Sequence, residues 1–298
     1  MDSNKRGLLL VSIGTLCCST SPVLTRYIGD VASGQIAFFR MFFAALFIFI
    51  LAKISKTQLK IDSKDVFKFL SYGLVAALHF FLYIASLKYT TIAHALCIIY
   101  TSPVIIAILT ALLFKDPLPR HKYLGIFLVI LGIIILASFE PVFTREMIIG
   151  DLLAFGSCLS LSLYTIAGRK ERDRYTLLQY VFWVYLFASI FLLPVALSDF
   201  TLQLTFKHWS YLLLLGLIPT TLGHTFYNAG LRYTHAAYAN LILTQEITVG
   251  TFFGYLFLKE PVGVNAIFGM VVMIIGIYQV LLDRKPGEKL KKRQEKHF

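Results

Sequence analysis

Acidic side chains are scarce: the 298-residue chain holds 16 Asp and Glu against 28 Lys and Arg, and only 15% of its residues are charged. Hydrophobic residues make up 57% and the mean hydropathy is +0.74, more apolar surface than a soluble core of this size buries, so the chain needs lipid around it. The sequence has no GxxxxGK[ST], no HExxH and no GxSxG. The first absence excludes ATP hydrolysis through a P-loop. The others, with a single acid deep in an apolar stretch, leave an intramembrane lipid-modifying transferase or hydrolase without its second acid, its nucleophile with a base, or its metal cluster. No loop resembles the re-entrant filter of a channel. Cys17, Cys18, Cys97 and Cys158 all fall inside apolar stretches, where they read as small packing residues and not as disulfide partners or metal ligands. The expectation is a protein that is not an enzyme and needs no cofactor.

Apolar runs are what the sequence has in abundance. A hydrocarbon core about 30 Å thick takes roughly 20 residues of helix. Ten stretches qualify, at about 7–27, 34–53, 68–88, 91–113, 122–139, 150–168, 177–197, 208–231, 235–258 and 262–282. The fold expected is therefore all-α, with ten transmembrane helices. The first stretch lacks a small-residue cleavage site and reads as a retained helix, not a signal peptide.

A net charge of +12 would suggest nucleic acid or an acidic partner in a soluble protein; here its distribution gives a different account, and no nucleic acid is implied. With the amino terminus inside, the inner segments carry Lys5, Arg6, the lysines from Lys53 to Lys68, Lys115, Arg120, Lys122, the Arg169–Arg174 cluster, Arg232 and the tail from Arg284 to Lys296. The outer segments carry only Arg26, Lys88, Arg145, Lys207 and Lys259. Positive residues collect on the cytoplasmic side, so both termini are expected there, in the plasma (bacterial inner) membrane, and the number of spans must be even. The tail, 284–298, reads as a solvated basic segment suited to anionic membrane lipid.

The chain is also written twice. Tyr83 to Pro117 aligns without a gap on Tyr227 to Pro261, an offset of 227 − 83 = 144. At that offset Tyr83/Tyr227, Ala85/Ala229, Leu87/Leu231, Tyr89/Tyr233, Thr90/Thr234, Lys115/Lys259, Pro117/Pro261, Gly125/Gly269 and Gly132/Gly276 are identical. This divides the chain into repeats at 1–141 and 142–283. With five spans each, the second repeat must start from the opposite side of the bilayer, so the loop after Leu87 faces out while its twin after Leu231 faces in. Inverted repeats provide two nearly equal packings around a midplane site, which is the architecture of alternating access in solute carriers.

The endings of the fourth and ninth spans, Leu113-Phe114-Lys115-Asp116-Pro117 and Phe257-Leu258-Lys259-Glu260-Pro261, are each followed by the paired glycines. Together with Phe39-Arg40 and Gln245-Glu246-Ile247 they give the whole chain a resemblance to the drug/metabolite transporter superfamily, in particular its EamA-like ten-helix members. The resemblance implies a transporter and a cavity-facing Arg40, and says little about the substrate. Ile247 stands where many relatives carry proline, which leaves a helix break in the ninth span without support, and Pro103 occupies the fourth-span counterpart.

Candidate binding residues follow from depth and spacing. Glu246 lies about 11 residues into its span, where a carboxylate is costly unless paired, hydrated or protonated, and is the candidate for proton coupling or cation binding. Arg40, about six residues into the second span, either snorkels to the surface or offers the cavity a fixed cation. His79, Tyr83 and Ser86 form a stripe on the third span; Thr221, His224 and Asn228 form another on the eighth, and the two would face each other. Ser12, Thr15 and Ser19, and Ser157, Ser160 and Tyr164, repeat the arrangement and suit helix packing better than ligand binding. Tyr100, Thr101 and Gln245 fall at mid-depth. Pro103 and Pro219 are expected to kink helices at the cavity, while Gly250/Gly254 and the Gly125/Gly132 and Gly269/Gly276 pairs suit close helix packing.

The function expected is secondary transport of a small organic solute, of amino-acid, amine or related type, driven by a proton or a counter-solute. A sugar-phosphate or nucleotide-sugar exchanger is the alternative, weakened because organophosphates call for several inward cations.

Overall fold

In the computed structural model, residues 3–137, 144–198, 200, 204–260 and 262–281 are described. The expected repeat boundary at 141/142, Pro261 and the basic tail 284–298 lie outside them. Among the described residues the chain is all-helical. In order the helices are α1 (Ser3–Cys18), α2 (Ser21–Ile28), α3 (Ser33–Ile54), α4 (Val66–Ser86), α5 (Ile92–Ile99), α6 (Ser102–Phe114) and α7 (Tyr123–Ala137). They continue with α8 (Arg145–Glu171), α9 (Leu177–Ser198), α10 (Phe206–Leu215), a π-helical segment (Gly216–His224), α11 (Thr225–Leu231), α12 (Ala236–Leu243), α13 (Gln245–Phe253), a second π-helical segment (Gly254–Leu258) and α14 (Val264–Leu281).

Among the described residues, eight helical stretches are long and apolar enough to cross a membrane: Ser3–Ile28, Ser33–Ile54, Ser63–Ser86, His94–Phe114, Arg145–Glu171, Leu177–Ser198, Ala236–Leu258 and Val264–Leu281. Two of the ten expected spans are helical without meeting that description. Helix α7 has 15 residues, and the run through α10 and α11 is divided by nine residues of π-helix. Large apolar side chains turn outward, Leu112 and Phe268 being 71% and 63% exposed, a surface that water would penalise and lipid would not.

Local chemistry fixes the helix ends. Thr91, Thr144 and Thr205 each accept a backbone N–H from the first turn of α5, α8 and α10. Lys115 and Lys259, related by the repeat offset, both end their helices in the left-handed conformation, with φ of 53° and 60°. Besides the π-turns at Gly254–Leu258, the apolar runs are interrupted among the described residues at Ser19–Thr20 between α1 and α2, at Tyr100–Thr101 between α5 and α6, at the Pro219 π-segment, and at Thr244 between α12 and α13. Pro103 sits at the start of α6, just past its break. The break at Thr244 corrects the sequence reading: no proline is needed, because the Thr244 hydroxyl donates to Leu241 O (2.6 Å) and Ile247 N–H bonds Thr244 O (3.0 Å), a tighter turn than the helix on either side.

Packing pairs α3 with α9, α4 with α8 and α9, α1 with α11 and the π-segment, and α7 with α14. The last pair crosses at glycines: a Cβ on Gly132 would lie 2.6 Å from Gly269 O, and one on Gly276 would lie 2.7 Å from Gly125 O. Gly125 thus meets Gly276 and Gly132 meets Gly269, so the two helices run antiparallel. The expected GxxxG seam at Gly250/Gly254 is absent: a Cβ on Gly250 would find only ordinary contacts, the nearest at 3.5 Å, because its face of α13 looks onto side chains of Leu96 and Pro22 and not onto a helix backbone.

Hydrogen bonds gather two ends. One, which carries the amino terminus, joins Asn4 to Thr234, Arg169 to Asp116 and Arg232 to the carbonyls of Arg172 and Tyr175. The same end holds a cluster the sequence did not reveal: Glu171, 2% exposed, accepts from Lys68 (3.0 Å) and Tyr72 (2.8 Å), while Asp65 accepts from Tyr175 and Arg174. Glu246 is therefore not the only acid withdrawn from solvent, although Glu171 sits at a helix end. The other end joins Arg26 to Thr90 O (3.0 Å), Lys88 to Val31 O (2.7 Å) and His94 to Asp151 (2.9 Å).

Candidate functional site

The helix interruptions converge. Arg40, in the second turn of α3 and 1% exposed, points inward and does not snorkel. Its Nε donates to Thr220 Oγ1 in the π-segment (2.7 Å) and its Nη1 to Ser21 Oγ at the start of α2 (2.9 Å). Its guanidinium lies 4.5 Å from the Phe80 ring centre and 5.9 Å from that of Tyr83. The wider π-turns leave hydroxyls to satisfy the backbone: Thr220 and Thr221 donate to Leu215 O (2.9 Å) and Gly216 O (2.8 Å), five residues back.

Glu246 stands in the first turn of α13, just past the Thr244 break, and is 5% exposed. The Tyr100 hydroxyl, at the α5/α6 break, donates to its Oε2 at 2.6 Å. Neither Glu246 nor Arg40 makes an ion pair among the described residues. Each nevertheless lies within electrostatic reach of the other, with Tyr83 and Cys18 feeling both charges. The Tyr83 hydroxyl, near Ser21 and Glu246, completes no hydrogen bond of good geometry and is buried.

A histidine layer adjoins this pair. His79 on α4 meets Ser157 on α8, Nδ1 to Oγ at 2.9 Å, and its ring stands 6.2 Å from that of His224. The two stripes read from the sequence do face each other. Applying the repeat offset, however, the counterpart of His224 is Phe80, and those two rings touch edge-to-face with centroids 4.9 Å apart. Asn228 donates to Tyr164 Oη and His224 O. Its Oδ1, together with His224 Nδ1, is buried without a hydrogen-bond partner among the described residues. Such orphan atoms cost about 1–3 kcal/mol each unless water or a ligand meets them.

The structure thus brings Arg40, Tyr83, Tyr100 and Glu246 into one centre and sets His79, His224 and Asn228 beside it. Gln245 is elsewhere: one residue before Glu246, it is turned about 100° around the helix and lines a groove with Ser12, Ile274 and Leu281. Sequence reasoning missed Ser21, Thr220 and Phe80. A serine and a threonine among many gave no signal, and only the fold carries them to Arg40. Ser157, read as packing, in fact fixes His79.

Comparison with known proteins then decides the family. A profile described as the EamA-like transporter family matches residues 5–138 and again 148–282. The chain belongs to the EamA-like transporter family. This transporter is 22% identical to the pseudopaline exporter CntI of Pseudomonas aeruginosa over 96% of its own length and 99% of that protein. It is 25% identical to the uncharacterized transporter YyaM of Bacillus subtilis over 75% of each, and 30% identical to an uncharacterized transporter of Archaeoglobus fulgidus over 68% of this chain and 71% of that one. A solved crystal structure superposes with a TM-score of 0.78 at 17% identity, covering 97% of this chain and 98% of the other, which establishes the shared fold. The transporter is a multi-pass integral membrane protein, and its substrate is a small molecule.

Proposed function

We propose that the protein is a secondary active transporter that moves a small organic solute bearing an amino group, an amino acid or amine-like metabolite, by alternating access, with Glu246 exchanging a proton or a cationic group during the cycle. The observation that carries this reading is a carboxylate that, among the described residues, accepts a hydrogen bond from the Tyr100 hydroxyl at a helix break and makes no ion pair, within reach of a buried guanidinium that makes none either. A carboxylate and a guanidinium that are not spent on each other suit a zwitterion: the planar fork of Arg40 takes a carboxylate and Glu246 takes an ammonium. Phe80, Tyr83 and Tyr100 supply the aromatic walls.

The machinery in this reading is two inverted five-span halves, 1–141 and 142–283, with α7 and the α10–α11 run counted as spans. Three observations support it. The family profile matches twice. The corresponding helices α7 and α14 cross antiparallel at paired glycines, as repeats of opposite sense require. Gly73 lies against Phe187 while Gly216 lies against Phe43, contacts that the repeat offset exchanges to within one residue. The charges break the symmetry, since the positions equivalent to Arg40 and Glu246 are Val184 and Ser102. Both termini face the cytoplasm of a plasma membrane in this reading, from the distribution of basic residues. A sugar-phosphate exchanger is disfavoured: among the described residues the only other buried Lys or Arg is Lys122, which donates to Val280 O away from the centre.

Counterflow of amino acids and amines in proteoliposomes under an imposed pH gradient tests the proposal. Glu246→Gln is expected to abolish the pH dependence of uptake. Uptake by that variant at the original rate and with the original pH dependence removes Glu246 from the cycle.

A further inference from the structure

At the end that carries the amino terminus, a cleft of about 460 Å³ opens between α1, α3, α9 and α11. Its mouth is cationic. The Arg6 guanidinium lies 4.8 Å over the Tyr233 ring and makes no ion pair among the described residues. Arg232 gives one Nη1 and one Nη2 hydrogen to the carbonyls of Arg172 and Tyr175 and makes no ion pair among the described residues, although Asp173 lies within electrostatic reach. Among the described residues no acidic side chain lines the cleft. Deeper in, the walls change character to Leu10, Leu51, Leu222 and Phe226, and the cleft ends at Thr221. Leu51 and Leu222 are 43% and 38% exposed on the flank that faces the bilayer, so the cleft is open to lipid along its length. From Leu231 back to Leu222 the helix rises about 13 Å at 1.5 Å per residue, and with the Arg232–Tyr233 turn above it the slot comes close to the half-thickness of a hydrocarbon core.

A basic mouth at the membrane surface above an apolar slot one leaflet deep matches one ligand chemistry. We propose that the cleft binds an anionic phospholipid of the leaflet on the amino-terminal side, its phosphate between Arg6 and Arg232 and one acyl chain along Leu10, Leu222 and Phe226. Inside the mouth the polar groups are Thr221 and Thr225 alone, set among Leu10, Leu51, Leu177, Leu222, Phe226 and Ala229, a lining that suits an acyl chain better than a water-soluble metabolite. The lipid would lie against the same π-segment that presents Thr220 to Arg40, so bound lipid wedges the surface behind the transport site without entering it.

Fluorescence quenching of the full-length protein reconstituted in vesicles tests this. Phe226→Trp places a reporter on the cleft wall, and the signal of Trp183 and Trp209 is subtracted with the parent protein. Chain-brominated phosphatidylglycerol is expected to quench the reporter at a lower mole fraction than chain-brominated phosphatidylcholine, by roughly fivefold for each arginine engaged. Arg6→Gln, at an exposed position that the fold tolerates, is expected to remove about fivefold of the preference and leave quenching by phosphatidylcholine unchanged. Equal quenching by the two lipids, or a preference that survives Arg6→Gln, overturns the proposal. A second reporter from Leu222→Trp checks the depth: no quenching there by either lipid means that no acyl chain enters, and likewise overturns it.

Discussion

Replacing Arg40 by methionine deletes a charge while keeping most of the side-chain volume. The structure allows the cost to be worked out. Two hydrogen bonds from an ionised donor, to Ser21 and Thr220, contribute about 1.5–3 kcal/mol each. The desolvated cation–π contact with Phe80 adds about 2 kcal/mol. Against them stands the burial of an unpaired guanidinium, an effective penalty of several kcal/mol. Thr220 keeps its bond to Leu215 O in the variant, so only Ser21 loses a partner outright. The terms nearly cancel, and because 1 kcal/mol shifts Tm by about 2–4 °C in a chain of this size, Arg40→Met is expected to unfold within roughly 4 °C of the parent. Substrate affinity has no such compensation. A carboxylate deprived of its guanidinium loses about 2–5 kcal/mol, a rise in KM of about 30-fold or more. Arg40→Lys keeps the charge without the planar fork and falls between. The assay is thermal unfolding in detergent alongside counterflow KM in proteoliposomes. A Tm lowered by 10 °C or more with KM unchanged refutes the reasoning and makes Arg40 a pin between α2, α3 and the π-segment.

Tyr100→Phe removes the 2.6 Å hydrogen bond to Glu246, and transport efficiency is expected to fall by about 10-fold, for a bond of roughly 1.5 kcal/mol to a charged acceptor, with Tm nearly unchanged. An unchanged kcat/KM means Tyr100 only packs. The same substitution should have opposite signs at two glycines: Gly132→Ala drives a methyl into the Gly269 carbonyl and should cost about 1–3 kcal/mol, whereas Gly250→Ala meets only ordinary van der Waals contacts and should stabilise α13 by about 0.5–1 kcal/mol; thermal unfolding of both reads the difference. Lys68→Met leaves Glu171 buried with Tyr72 as its remaining partner, and a loss of about 3 kcal/mol is expected by the same measurement.

Much of the scaffold was legible because lipid imposes a simple rule on sequence. Long apolar runs become helices, and a repeated Lys-acid-Pro ending with two spaced glycines marks corresponding helices twice. Glu246 was found because an acid in hydrocarbon stands out whatever its neighbours are. Where the structure differs, the causes are separate. Gln245 was grouped with Glu246 by depth, yet adjacent residues on a helix point about 100° apart, so depth alone does not choose the centre. The break at Thr244 was missed because proline is one cause of an interrupted helix and a threonine hydroxyl bonding back to Leu241 O is another. The Glu171 cluster escaped notice because its acids sit at helix ends, where sequence reads them as solvated loops.

The sequence by itself determined that this chain is helical, lives in lipid, is written twice and carries one glutamate deep in an apolar run, while it left Arg40 between the surface and the cavity. Those properties follow from the cost of exposing apolar surface to water and polar groups to hydrocarbon, which each residue meets on its own. The tertiary structure decided what the sequence could not: that Arg40 and Glu246 stay unpaired within reach of each other, that Ser21 and Thr220 hold the guanidinium, that Phe80 meets His224, and that Gly132 and not Gly250 lies under another helix. Each of these depends on the register and rotation of helices distant in the chain, and no local pattern encodes that.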